Sequence, residues 1–170
     1  VNVHHTNEIA QSEAATGKRF VNYWLHGEFL NEDSGKMSKS KGETVTLSVV
    51  EREGFTPVEY RFLLLQTQYR SSIRFSYESL GAAQAGLRGL VARLKEFNSG
   101  PAQANAAASL GAAAEAARSD FERAVFDDLN LPQALAILFS ALKNSEISSA
   151  EKLALAFDFM NGFHDAANAI

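Results

Sequence analysis

The chain has 170 residues, a formal net charge of −4, and ordinary apolar and charged fractions of 46% and 21%. That is enough for one domain, or for part of one joined to a second, around a buried core. No apolar run approaches the roughly 20 residues that span a bilayer and no basic-then-apolar leader opens the chain, so neither a membrane span nor secretion is expected. Cysteine is absent, which excludes disulfides, and the acidic balance argues against a wholly basic surface while leaving room for a local basic face.

In chain order, residues 7–16 read as a short helix with Ile9, Ala10 and Ala14 inward, stopped by Gly17. Residues 19–31 are rich in β-formers and read as two short strands turning at Gly27, with Trp24 as a core side chain. Asn31–Gly35 is a turn, Thr44–Thr46 an extended exit, and Leu47–Arg52 one or two helical turns ended by Gly54. Thr56, Pro57 and Glu59 form a capping box that starts a helix running to about Gln68. A longer helix over 76–97 carries Leu80, Leu87, Leu90, Leu94 and Phe97 on one side and stops at Ser99-Gly100-Pro101.

Residues 102–117 are alanine-rich, which favours helix but supplies little side-chain area to bury. A helix is expected from Ser109 to Asp127 with Phe121, Ala124 and Val125 inward, and Asp127 and Asp128 as its end feature. Asn130 restarts the chain, with Leu135, Leu138, Phe139 and Leu142 as the apolar stripe. Ser148 and Glu151 cap the last helix, whose stripe reads Leu153, Phe157, Met160 and Phe163. Phe121, Phe139, Phe157 and Phe163 are expected in the core. Several striped helices on short links predict a mainly α chain ending in an antiparallel bundle over 76–170. Residues 1–56 read as the trailing edge of an α/β sheet, and 57–75 as a junction.

The chemistry concentrates in Gly35-Lys36-Met37-Ser38-Lys39-Ser40-Lys41-Gly42. Lysines are point charges on flexible stems, suited to a polyphosphate. Ser38 and Ser40 offer hydroxyl donors to phosphate oxygens, and the flanking glycines let the backbone approach an anion closely. The competing reading is a solvated, lysine-tipped turn. A second cluster opens the chain: His4 and Glu8 are i,i+4 neighbours on a helical turn and offer nitrogen and oxygen ligands of the kind zinc accepts. Arg61, Tyr69, Arg70 and Arg74, continued by Arg88, Arg93 and Lys95, read either as a nucleic-acid-facing strip or as core-edge ion pairs.

Lys36-Met37-Ser38-Lys39-Ser40 resembles the KMSKS signature of class I aminoacyl-tRNA synthetases. His4-His5-Thr6-Asn7-Glu8-Ile9-Ala10-Gln11-Ser12-Glu13 resembles the HHENEIAQSE segment of the cysteinyl-tRNA synthetase family. Phe20–His26, Tyr69-Arg70-Ser71 and Phe126–Asn130 are similar to that family in the same order. The resemblance spans nearly the whole chain. It implies the C-terminal part of a cysteine–tRNA ligase, entered inside a Rossmann-type catalytic domain; the start at Val1 rather than methionine fits a piece of a longer polypeptide.

The resemblance further implies that Lys39 contacts ATP, with Lys36 supporting the phosphates or ordering the loop. His4 and Glu8 would be two zinc ligands, whose metal selects cysteine by its thiolate. ATP and zinc are the implied cofactors, ATP, cysteine and tRNA(Cys) the implied partners, and the expected state is a cytoplasmic monomer. Two departures stand out. Thr6 replaces a Glu of the family pattern, and the family's two cysteine ligands and its HIGH signature are missing from the sequence. Residues 1–170 alone are therefore expected not to activate cysteine, and to leave the zinc position empty. Two other readings fit the same residues: a shortened, non-catalytic paralogue that binds RNA, and the mycothiol-pathway cysteine ligase, against which Tyr69-Arg70-Ser71 and the long helical tail argue.

Overall fold

The computed structural model describes residues 3–28, 30–32, 35–36, 46–98 and 110–168, with backbone alone at 3–4, 32, 35–36 and 164–168. The order of elements is α1 (Val3–Thr16), β1 (Leu30–Glu32), β2 (Gly35–Lys36), α2 (Leu47–Arg52), α3 (Pro57–Leu65), β3 (Ile73–Phe75), α4 (Tyr77–Asn98), α5 (Ala112–Phe126), α6 (Leu131–Lys143) and α7 (Ser149–Asn168). Helix dominates, as the apolar spacings predict.

Several helix boundaries follow from local chemistry. The α1 helix ends at Gly17, whose φ of +64° only glycine adopts freely and whose N–H donates to Glu13 O. Thr46 caps α2 through its side chain, and Gly54 at φ +88° follows that helix. At α3 the capping box is complete: Glu59 N–H donates to Thr56 Oγ1 and Thr56 N–H to Glu59 Oε2 at 2.7 Å. Asn130 Oδ1 accepts from Gln133 N–H at the start of α6. Before α7, Ser148 N–H donates to Glu151 Oε2 while Ser148 Oγ accepts from Glu151 N–H.

The described strands form one sheet in the order β2-β1-β3. The β1–β2 pair is antiparallel, Asn31 opposite Lys36, and β1–β3 is parallel, Leu30 opposite Ile73. Strand β3 lies in the stretch expected to be only a junction. Its three residues are too few for periodicity to reveal. The pair of strands expected over 19–31 does not form: residues 19–28 carry no strand, and β1 begins only at Leu30. Among the described residues no strand pairs with this stretch to satisfy its β-propensity.

The core joins α2 to α7. Its largest fully buried side chains are Val50, Leu80, Leu138, Leu155 and Phe159. Helix α3 packs on α4 and α6, α4 on α7, and α5 on both α6 and α7. Phe121 lies face to face with Phe159, ring centroids 3.8 Å apart, and edge-on to Phe163. In α7 the inward side is set by Lys152, Leu155, Ala156, Phe159 and Phe163. The expected stripe is thus misplaced: Phe157 and Met160 are 68% and 56% exposed, and Leu153 is half-buried. Apolar residues occur on both sides of this helix, and spacing alone could not choose between them. Likewise only Ile9 of the three residues expected inward on α1 is even half-buried; Ala10 and Ala14 face solvent.

Candidate functional site

Three groups of residues singled out by sequence occupy different parts of the chain. The first is the lysine loop. Its leading lysine, Lys36, ends β2 and sits opposite Asn31 in the sheet, so the base of the loop is fixed by a strand pair. Ser38, Lys39 and Ser40 lie outside the described residues.

The second is the histidine cluster at the start of α1. His5, not its neighbour, is the histidine the structure describes as engaged, and its side chain is buried. Its Nδ1 donates to Glu8 Oε2 at 2.7 Å, one helical turn away. A neutral His5 that donates at Nδ1 must accept at Nε2, and there it meets His26 Nε2 at 2.7 Å, which then carries the shared proton. Trp24 stacks on His5 with centroids 4.1 Å apart, and His26 stacks on it at 4.8 Å. The segment 20–28, expected as strands, instead folds an aromatic cover over the first turn of α1. Phe20 meets Trp24 edge-on, and Phe20 N–H donates to Glu13 Oε1. Trp24 is half-buried against this imidazole rather than within the main core.

These residues test the expected metal site. His4 Cα lies in α1, but its side chain is outside the described residues. His5 directs its two ring nitrogens to different partners, Glu8 turns an oxygen to His5, and no three His, Cys, Asp or Glu among the described residues are arranged to hold an ion. With no cysteine in the chain, the described residues do not by themselves fit zinc. Sequence reasoning missed His5 and His26. The i,i+3 spacing from His5 to Glu8 was available as a signal, whereas nothing in the sequence marks His26 as the partner.

The third group is the junction after α3. Tyr69 is buried, and its hydroxyl donates to Asp128 Oδ1 at 2.7 Å. Arg70 grips the same carboxylate through Nε to Oδ2 at 2.8 Å and Nη2 to Oδ1 at 3.1 Å, and lies over the Tyr69 ring. Gln68 Nε2 also donates to Asp128. These donors hold the Asp128 carboxyl below its ordinary range, Arg70 foremost. The same bond to the carboxylate raises the Tyr69 hydroxyl. Asp128 is therefore more than the helix-end feature expected of it. Of the other basic residues, Arg74 and Arg93 are exposed, while Arg88 reaches the buried Glu59 at 3.8 Å.

A cavity of about 1180 Å³ also opens among α3, α4, α5, α6 and α7, walled by Phe62, Leu90, Leu94, Leu138 and Phe157 among others.

Comparison with known proteins gives the chain's family. Residues 1–85 match the family model for the tRNA synthetases class I (C) catalytic domain. A cysteine–tRNA ligase of Treponema denticola is 41% identical over 169 residues, covering 90% of this chain and 34% of the relative. Cysteine–tRNA ligase 1 of Burkholderia lata is 45% identical over 145 residues, covering 84% and 28%. The chain thus spans about a third of the length of the curated relatives it matches. With half its length inside the class I (C) model and its similarity continuing through the helices beyond, this chain belongs to the cysteinyl-tRNA synthetase family of class I aminoacyl-tRNA synthetases.

Proposed function

We propose that this chain supplies the lysine loop and a tRNA-facing helical region to a cysteine–tRNA ligase, which makes cysteinyl-AMP from cysteine and ATP and transfers cysteine to tRNA(Cys). The observation that carries the reading is the KMSKS string itself, set within a chain similar to cysteine–tRNA ligases over some 90% of its length. In this reading residues 1–56 close the catalytic domain, 57–75 form the junction, and 76–170 are an antiparallel bundle facing tRNA. The protein would act in the cytoplasm as a monomer. Among the described residues no helix is long and apolar enough to cross a membrane.

The reaction sets the demand on the loop. The cysteine carboxylate attacks the α-phosphorus of ATP, and the bond to the β,γ-pyrophosphate breaks. Negative charge builds on the departing oxygen, and a cation held there only as the charge develops lowers the barrier. Lys39 takes that role, Lys36 supports the phosphates from the end of β2, and Ser38 and Ser40 donate to phosphate oxygens. His4 and Glu8 would give half of a four-ligand zinc set in the longer polypeptide, with thiolates from outside this sequence.

In a full-length ligase containing this segment, Lys39→Ala should lower cysteine-dependent ATP–pyrophosphate exchange by about 100- to 1,000-fold in kcat. Unchanged exchange would refute the assignment. The segment alone, which lacks a HIGH sequence, should give no exchange.

A further inference from the structure

We infer that Asp128 is a positioning residue, which fixes the sheet carrying Lys36 to the corner between α5 and α6; the functional meaning of this rests on the reading above. Three consecutive residues, Gln68, Tyr69 and Arg70, converge on one carboxylate some sixty positions further along the chain. An exposed ion pair alone contributes little to stability. Here the arginine engages both oxygens in a fork, and the third partner is the hydroxyl of Tyr69, whose side chain is otherwise largely covered.

The acceptor is also held unusually. Asp128 and Leu129 both have φ of +53°, two successive non-glycine residues in the left-handed region. Such backbone persists only where its surroundings enforce it, and such strain gathers where geometry matters to function. Asn130 N–H to Ala124 O and Leu129 N–H to Val125 O close the corner from the bundle side. The clasp closes it from the junction side.

One of the residues that hold Asp128 by its side chain, Tyr69, also holds the stretch leading into β1 by its backbone. Tyr69 O accepts the Glu28 N–H at 2.7 Å, tethering the segment that covers His5. Strand β3 begins three residues after Arg70, pairs with β1 at Leu30, and β1 in turn places Asn31 against Lys36. One carboxylate thus connects the α5–α6 corner to the base of the lysine loop through a short, mostly backbone route. A synthetase that must bring a nucleotide and a tRNA end together requires such a fixed relation between its two parts.

Asp128→Gly is the informative variant, because glycine adopts the positive φ freely while the clasp is lost. Amide hydrogen exchange on this chain should then quicken about tenfold or more at Glu28 and along β1 and β3, with α6 amides unchanged. Tyr69→Phe and Arg70→Lys, which leave the corner intact, should each move the same amides by a smaller factor. Unchanged exchange at Glu28 and the ladder, or equal acceleration throughout α6, overturns the inference. In a full-length ligase containing this segment, Asp128→Gly should lower kcat for pyrophosphate exchange about tenfold with the KM for cysteine unchanged. Exchange equal to wild type sinks the positioning role and leaves the functional reading standing. A wild type without any cysteine-dependent exchange sinks the functional reading, and hydrogen exchange still decides the clasp.

Discussion

Glu59 illustrates how a single side chain can serve several ends. It is buried, it closes the capping box of α3, and it faces Arg88 from α4. The Thr56 N–H is the main cause that pulls its carboxyl below the ordinary value of 4.5, against the opposing effect of burial. A folded-state pKa below the unfolded one means that the bond stabilises the fold fully above about pH 4.5, and that this is lost as pH falls through the lowered value. Urea midpoints measured from pH 7 to pH 3 should therefore fall less steeply in Glu59→Gln than in the wild type. Equal slopes would remove Glu59 as a contributor. The Thr-Pro-x-Glu signal was readable because a capping box is local: every atom in it lies within four residues. His5 was not chosen over His4 for the opposite reason, since its partners Trp24 and His26 come from a segment whose path no local pattern dictates.

At the level of elements, helices were more legible than strands. Leu47–Arg52 was expected as observed, and α4 and α5 lie within three residues of their expected bounds, because caps and apolar spacing act along the chain. Strand β3 escaped notice because its pairing with β1 is a contact across some forty residues. The α7 register failed because Phe157 and Phe159 are equally apolar, and only packing on Phe121 selects Phe159. Phe159→Ala should cost about 3–5 kcal/mol in chemical denaturation, whereas Phe157→Ala should stay within about 0.5 kcal/mol. The reverse order would place the other side of α7 inward. Gly162 fits the same packing, since a Cβ there would stand 2.9 Å from the Phe121 ring.

For the molecule as a whole, acidity and nucleic-acid binding are compatible if basic residues are gathered locally. Arg74 on β3, at the end of the junction, and Arg93 on α4, in the proposed tRNA-facing part, are exposed cations. Filter binding of tRNA to this chain across salt concentrations should give a log–log slope that drops by about one for each of Arg74→Ala and Arg93→Ala. A slope indifferent to both would remove them from the interface. The family could be read from short strings because chemistry at phosphates demands particular residue types in sequence. The clasp at Asp128 could not, because it joins distant residues through side chains that look like ordinary helix-end polar groups.

The indole of Trp24 offers a practical dividend. It is the only tryptophan, it sits on His5, and it lies in the segment whose Glu28 N–H is tied to Tyr69. Its fluorescence therefore follows the docking of the amino-terminal stretch, while far-ultraviolet ellipticity follows the helices. Overlaid melting curves from the two signals would mark one cooperative unit, and an earlier optical transition at the indole would mark a detachable front end on a sturdier helical body.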